Sequence, residues 1–253
     1  MTSPRLRAAL LVLLLAPAAP AQDAQIRVLC SNGFRAALEK LLPEAQRTIG
    51  RPINVKFGTS ASFKQAIEGG EQFDLAIVTP QIVEGLIKDG KIADGTKVDL
   101  ASSGVGMAIR AGKAKPDVSS APAVKKMLLD VKSIGIVKVG AGTPAVLDML
   151  NRLGISGEVQ RKIAYQEGAE PSMANVASGK IDVAFGLISE IVSVSGVQLA
   201  GPLPPEFQRQ IILSAGIASS TKNRKAADEI IQSLTNPAAA ATIKAAGLEP
   251  IAK

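Results

Sequence analysis

The chain has 253 residues, 47% of them hydrophobic, 20% charged and 3% aromatic, with a formal charge of +7, no histidine, no tryptophan and one cysteine. The missing histidine excludes Ser-His-Asp and Cys-His catalysis and most zinc and copper sites, and a single cysteine excludes an intrachain disulfide framework. Scarce aromatics argue against base-stacking nucleic-acid modules. The length suits one large domain or two small ones with a real core; the exclusions favour binding over chemistry, with no cofactor and no metal expected.

Residues 1–21, MTSPRLRAALLVLLLAPAAPA, have the three parts of a secretory signal peptide: Arg5 and Arg7, an apolar run over 8–15, and Ala19-Pro20-Ala21 before Gln22. The run is too short to span a membrane, which needs about 20 residues. Losing Arg5 and Arg7 lowers the formal +7 by two. The remaining Lys and Arg are scattered, as on a solvated surface. Export to the periplasm makes nucleic acid an unexpected partner.

Beyond the leader, short apolar runs alternate with helical patterns. Strands are expected at 26–30, 53–57, 73–78 and 105–109, separated by helices at 34–49, 61–68 and 81–88. A second series follows: strand 133–138, helix 144–153, helix 171–178, strand 181–185 and strand 210–218. Helices at 222–234 and 237–246 close the chain, with Pro237 at a first turn and Gly247 as a stop. This alternation implies α/β architecture with βαβ units. Two stretches echo each other: a helix, a Gly-containing stop, an Asp and an apolar strand recur at 65–78, with Asp74, and at 174–185, with Asp182. Two similar α/β lobes explain that echo.

In open α/β sheets ligands bind beyond the carboxyl ends of the strands, where helix N-termini present free N–H groups. The residues that follow the strands are small and hydroxyl-rich: Ser31-Asn32-Gly33, Gly58-Thr59-Ser60, Ser102-Ser103-Gly104, Gly140-Ala141-Gly142-Thr143, and Gly186, Leu187 and Ser189. Any one of them is accounted for as an ordinary helix cap; their recurrence after several strands points to a shared anion site. Cys30 reads as core. Asp74 and Asp182 fall at strand starts, the wrong end for an acid–base pair in such a site.

The segments IRVLCSNGFRAAL, FGTSASFKQAIEGGEQFDLAIVTP, MLNRLGI, VASGKIDVAFG and SLTNPAAAATIKAAGLEP resemble a periplasmic substrate-binding protein of an ABC importer, most like the molybdate/tungstate-binding family. The resemblance covers nearly the whole mature chain. It implies a two-lobed periplasmic-binding-protein-like fold of type II, each lobe a mixed, mainly parallel sheet flanked by helices. Lobe 1 would hold residues 25–103 and 208–253, lobe 2 residues 104–207, with hinge crossings at 102–104 and 205–210.

The strand-end loops and this resemblance together give an expected ligand site at Ser31, Asn32, Gly33, Thr59, Ser60, Ser103, Gly142, Thr143, Ala169 and Leu187. Two family positions depart from the pattern: the first-loop serine falls on Gly33, and the late tyrosine on Leu187. Each missing donor removes a charge-assisted hydrogen bond worth roughly 1.5–3 kcal/mol. The expected partners are a small anionic ligand and the permease of an ABC importer in the inner membrane; the protein is expected to act as a monomer and without catalysis. A small organic acid in place of a molybdate-like oxyanion is the alternative ligand, and a His-free lyase or transferase of small acids the alternative activity.

Overall fold

The computed structural model describes residues 25–251; the expected signal peptide at 1–21 lies outside them. The first series of elements is β1 (Ile26–Ser31), α1 (Asn32–Ile49), β2 (Ile53–Gly58), α2 (Ser60–Glu68), β3 (Leu75–Val78) and α3 (Pro80–Lys88). A long strand, β4 (Val98–Arg110), leads into α4 (Ala121–Asp130), β5 (Ile134–Val137), α5 (Thr143–Arg152), α6 (Ser156–Val159), β6 (Ile163–Gln166), α7 (Ala169–Ala177), β7 (Val183–Leu187), α8 (Ile188–Val192) and β8 (Val197–Pro202). The chain closes with β9 (Gln210–Ile217), α9 (Arg224–Thr235), α10 (Ala240–Ala245) and β10 (Glu249–Pro250).

The strands run in the order β2-β1-β3-β9-β4-β7-β5-β6, with β8 and β10 both on β4. Pairing is parallel for β1 with β2 and β3, and for β5 with β6 and β7; β4, β8, β9 and β10 pair antiparallel. Among the described residues four buried apolar clusters pack against the strands, and the two largest form the centres of the two halves. One gathers Ile26, Phe34, Leu38, Leu75, Leu100, Leu213 and Ile230; the other gathers Met107, Leu128, Ile134, Met149 and Phe185. The mixed two-lobed α/β expectation matches this architecture.

Strand β4 belongs to both halves. Residues 98–104 pair with β9, and from Val105 onward the partners become β7 and β8. The sequence reads Ser102-Ser103-Gly104 as a loop at a strand end, but these residues lie inside β4. Hydroxyl and glycine residues look like a loop locally, whereas here they sit between Ile211 and Ile212 of β9 and the short β10. The return crossing, residues 203–209, is stitched to β4 by one side chain: the Gln208 amide accepts from Val105 N–H at 2.8 Å and donates to Val105 O at 2.9 Å. Gly104 leaves room for it, since a Cβ there would lie 3.3 Å from the Gln208 amide.

The sequence echo has a structural counterpart. Asp74, fully buried, precedes β3; its carboxylate accepts from Arg27 N–H at 2.7 Å, Thr221 O–H at 2.6 Å and the Asn223 side-chain amide at 3.2 Å. Asp182, exposed, precedes β7 and accepts from the N–H groups of Lys132 at 2.8 Å and Ser133 at 3.2 Å. Both carboxylates tie neighbouring strand starts together, at the end of the sheet opposite the strand tips. Removing the buried one strands three donors, each costing about 1–3 kcal/mol. Asp74→Ala should therefore lower the urea midpoint by the equivalent of about 3 kcal/mol or more with an unchanged m-value, while Asp182→Ala should cost about 1 kcal/mol or less.

Candidate functional site

The carboxyl ends of β1, β2, β3, β5 and β7 face one cleft between the halves. On the first half, α2 opens with Thr59 as its cap: Thr59 Oγ1 accepts from Ser62 N–H at 3.0 Å, and Thr59 N–H donates to Ser62 Oγ at 3.1 Å. That box consumes the amides of Thr59 and Ser62. It leaves the first-turn N–H groups of Ser60 and Ala61 without an intrahelical partner. Ser60 Oγ accepts from Thr79 N–H at 3.3 Å, so its hydroxyl proton is free to donate outward. In α1, Ser31 is the cap residue but its side chain bonds no amide, which leaves the first turn at Asn32 and Gly33 open.

Three compartments occupy the cleft. The largest of them, about 370 Å³, lies between Ser60, Ala61, Thr79 and Gln81 of the first half and Val139, Gly140 and Ala141 of the second, with Gln210 and Ile211 from the return strand. A narrow one continues past Gly140, Ala141, Gly142 and Thr143 to Leu187 and Glu190. The third, about 310 Å³, runs from Glu190 to Asn32, Arg35, Glu39, Ala169 and Glu170. Gly140 and Ala141 border the first two, and Glu190 borders the last two. Ser60, Asn32, Gly142, Thr143, Ala169 and Leu187 thus line one string of spaces.

Several expected ligand contacts are spent elsewhere. Ser103 is buried in the crossing strand, where its Oγ lies 3.3 Å from Gly247 O and accepts from Ser189 N–H at 3.2 Å; it staples the hinge and offers no donor to the cleft. Thr143 donates its hydroxyl to Val137 O at 2.6 Å. Leu187 N–H donates to Glu190 Oε2 at 3.0 Å. The Leu187 side chain is buried against the first loop: a Cβ on Gly33 would come within 2.6 Å of Leu187 Cδ1 and 3.2 Å of Leu213 Cδ1. A Cβ on Gly142 would meet Val105 at 3.0 Å and Leu187 at 3.6 Å. The place where the family pattern puts a tyrosine hydroxyl is therefore an apolar wedge across the cleft.

Other residues enter the site without having been singled out as ligand contacts. Thr79 and Gln81 sit after β3 in the same strand-to-helix context as Thr59-Ser60, so position alone would have found them. Glu190 carries a weaker signal, an acid three residues after the strand tip where a helix begins. Arg35 sits over Phe57, its guanidinium 4.4 Å from the ring centroid, and Nη1 bonds Glu170 Oε2 at 2.8 Å across the cleft. Its Nε lies 3.5 Å from Glu39 but makes no hydrogen bond. Only the fold brings α1 and α7 close enough for the Arg35–Glu170 pair. Burial pushes the Glu190 carboxyl up to about 7, against the opposing pull of the Leu187 N–H. Burial likewise raises the Cys30 thiol, in keeping with its place in the core.

The chain belongs to the bacterial extracellular solute-binding proteins, whose family pattern it matches over residues 26–249. It is 28% identical over 257 residues to an aconitate isomerase of a Pseudomonas species, covering 98% of both chains. It is also 28% identical over 242 residues to the molybdate-binding protein of Azotobacter vinelandii, covering 91% of this chain and 92% of that one. The fold superposes on the Azotobacter vinelandii periplasmic molybdate-binding protein with a TM-score of 0.75 at 21% identity, covering 88% of this chain and 98% of that structure.

Two measurements check this geometry. Gly33→Ala should drive a methyl into Leu187, disfavour closure and weaken anion binding by about tenfold, equal to about 1.4 kcal/mol; adding Leu187→Ala should restore most of the loss in a double-mutant cycle. Glu190 holds its proton in the folded state between its ordinary 4.5 and about 7, so its ionisation favours unfolding as pH rises through that window. The wild-type urea midpoint should fall from pH 5 to pH 7.5 relative to Glu190→Gln, and the difference should level off above that range.

Proposed function

We propose that this protein is an exported receptor that closes its two lobes on a small organic anion and hands it to the permease of an ABC importer in the inner membrane. After removal of residues 1–21 it would act as a periplasmic monomer. The lobes would meet at residues 104–105 and 203–209, where the strand partners change and Gln208 bridges the crossings.

One observation carries the reading: the uncommitted amides of Ser60 and Ala61, with the Ser60 hydroxyl, look across a pocket of about 370 Å³ at Gly140 and Ala141 of the other lobe. An anion held there replaces its hydration by oriented N–H and O–H dipoles. Because its contacts are shared between the lobes, it binds the closed form best and shifts the population toward it. Helix-end amides carry no acceptor for a protonated acid, so the fully ionised form is the species captured.

Two ligand classes fit the family: a molybdate- or tungstate-like oxyanion and a small organic acid. The lining favours the acid. Ile82, Val139, Pro144 and Ile211 give the pocket an apolar wall suited to a carbon skeleton, and the Leu187 wedge removes a hydroxyl that an all-oxygen ligand would use. A thermal-shift panel separates the classes. A ligand at one hundred times its Kd adds about 2.7 kcal/mol, a rise of roughly 5–10 °C for a chain of this size. Citrate or trans-aconitate should produce such a rise, with molybdate, tungstate and sulfate giving less. A larger rise with molybdate returns the assignment to the oxyanion class, and no rise with any anion removes the receptor reading.

A second reading, an enzyme on the same fold, is favoured by the Pseudomonas aconitate isomerase, which aligns with this chain over nearly its whole length. In that reading the cleft would rearrange a small unsaturated acid in addition to holding it.

A further inference from the structure

We propose that Glu190 is a proton-transfer residue of the cleft, exchanging a proton through its free Oε1 with a carbon of a bound unsaturated carboxylic acid. This rests on the second reading of the function and names the residue that would carry it.

Position comes first. Glu190 is the side chain shared by the two inner compartments, so anything spanning them passes its carboxyl group. Its Oε2 is fixed by Leu187 N–H at 3.0 Å. Its Oε1 has no hydrogen-bond partner among the described residues, nor is it among the buried polar atoms left without one; it is open to the cleft.

Environment comes second. Val105, Ile136, Phe185 and Leu187 crowd the narrow compartment. The charged groups facing the wider one are Arg35 and Glu39 from α1 and Glu170 from α7. Arg35 is engaged by both of those acids, at 3.5 and 2.8 Å, so Glu190 has no cation of its own. A carboxyl group in such surroundings gives and takes protons near neutrality, where general acid–base transfer is most effective, because its burial raises its pKa.

The chemistry balances without a cofactor. Glu190 Oε1 removes a proton from the γ carbon, allylic to the C=C bond, of an α,β-unsaturated acid. The electron pair of that C–H bond becomes a new C=C bond, and the old π pair spreads into the carboxylate as a dienolate. Glu190 Oε1–H, which exchanges with water at the open cleft, then gives one proton to the far carbon of the allyl unit, moving the double bond by one position; one proton leaves and one returns, and nothing is oxidised, reduced or hydrolysed. The first-turn amides of α7 at Ala169 and Glu170, beside this compartment, are placed to hydrogen-bond the oxygens that take up charge.

The discriminating variant is Glu190→Gln, whose side-chain oxygen can still accept from Leu187 N–H but which cannot carry the proton. With trans-aconitate in deuterated buffer, followed by proton NMR, the wild-type protein should incorporate deuterium at carbon at least 100-fold faster than buffer alone, with a rate that rises with pH through about 7. Glu190→Gln should lose at least 100-fold of that rate while its Kd for trans-aconitate stays within about threefold. Exchange in Glu190→Gln at the wild-type rate overturns the assignment. Wild-type protein that is stabilised by trans-aconitate but exchanges nothing overturns the chemistry and leaves the receptor reading standing. Absence of any stabilisation by trans-aconitate, with another anion bound, also overturns this inference and leaves a receptor for that anion.

Discussion

Everything in this molecule depends on one backbone shared by two sheets. Strand β4 gives residues 98–104 to β9 and residues 105–110 to β7 and β8, so both halves are anchored to the same rod. The other crossing among the described residues, residues 203–209, is locked to it at Val105 by the two-way amide contact of Gln208. Two connections allow a rotation about their common line and resist other displacements. Small side chains at that line, Ser103, Gly104 and Gly106, let the strand bend where the sheets change partners. The contacts of Ser103 with Gly247 and Ser189 bind the C-terminal strand and α8 to the same point. A residue that looked like a ligand donor is thus part of the joint that brings the donors together.

The cleft has two characters because two demands meet in it. Helix N-termini leave amides that need a partner, and both halves aim such amides inward. The hydrophobic cores, however, extend to the strand tips, and Leu187 and Leu213 close over the first loop. The result is a polar compartment at α2 and β5, an apolar wedge at Gly33 and Leu187, and a charged compartment at α1, α7 and α8. Arg35 and Glu170 close that last space from opposite sides. Being 35% and 73% exposed at their side chains, they contribute little stability as an isolated pair.

The two aspartates preceding β3 and β7 do equivalent work at the opposite end. Asp74 gathers donors from β1 and from the segment entering α9, while Asp182 gathers those that begin β5. Their chemistry is satisfied by backbone and hydroxyl groups far from the cleft, which removes them as an acid–base pair. Glu190 differs from both in lying at the strand tips with one oxygen uncommitted.

Local pattern determined the order of strands and helices, because hydrophobic periodicity and small residues at strand ends act within a few positions of one another. It placed β1, β2, α2, α3, α5 and β9 to within about two residues of their observed bounds. It did not find the first half of β4, nor α4, α6, β6, α8, β8 and β10. Ser102-Ser103-Gly104 has the local signature of a loop, and only pairing with β9 makes it a strand. The hydroxyl-rich loops were legible as helix starts. Which of them keep a donor for a ligand was decided by tertiary contacts: Thr143 turned to Val137, Ser103 to Gly247, and Leu187 N–H to Glu190. A side chain's chemical type is written in the sequence, but a hydrogen-bond donor can be spent once, and its partner is chosen by whatever distant group the fold brings within 3 Å.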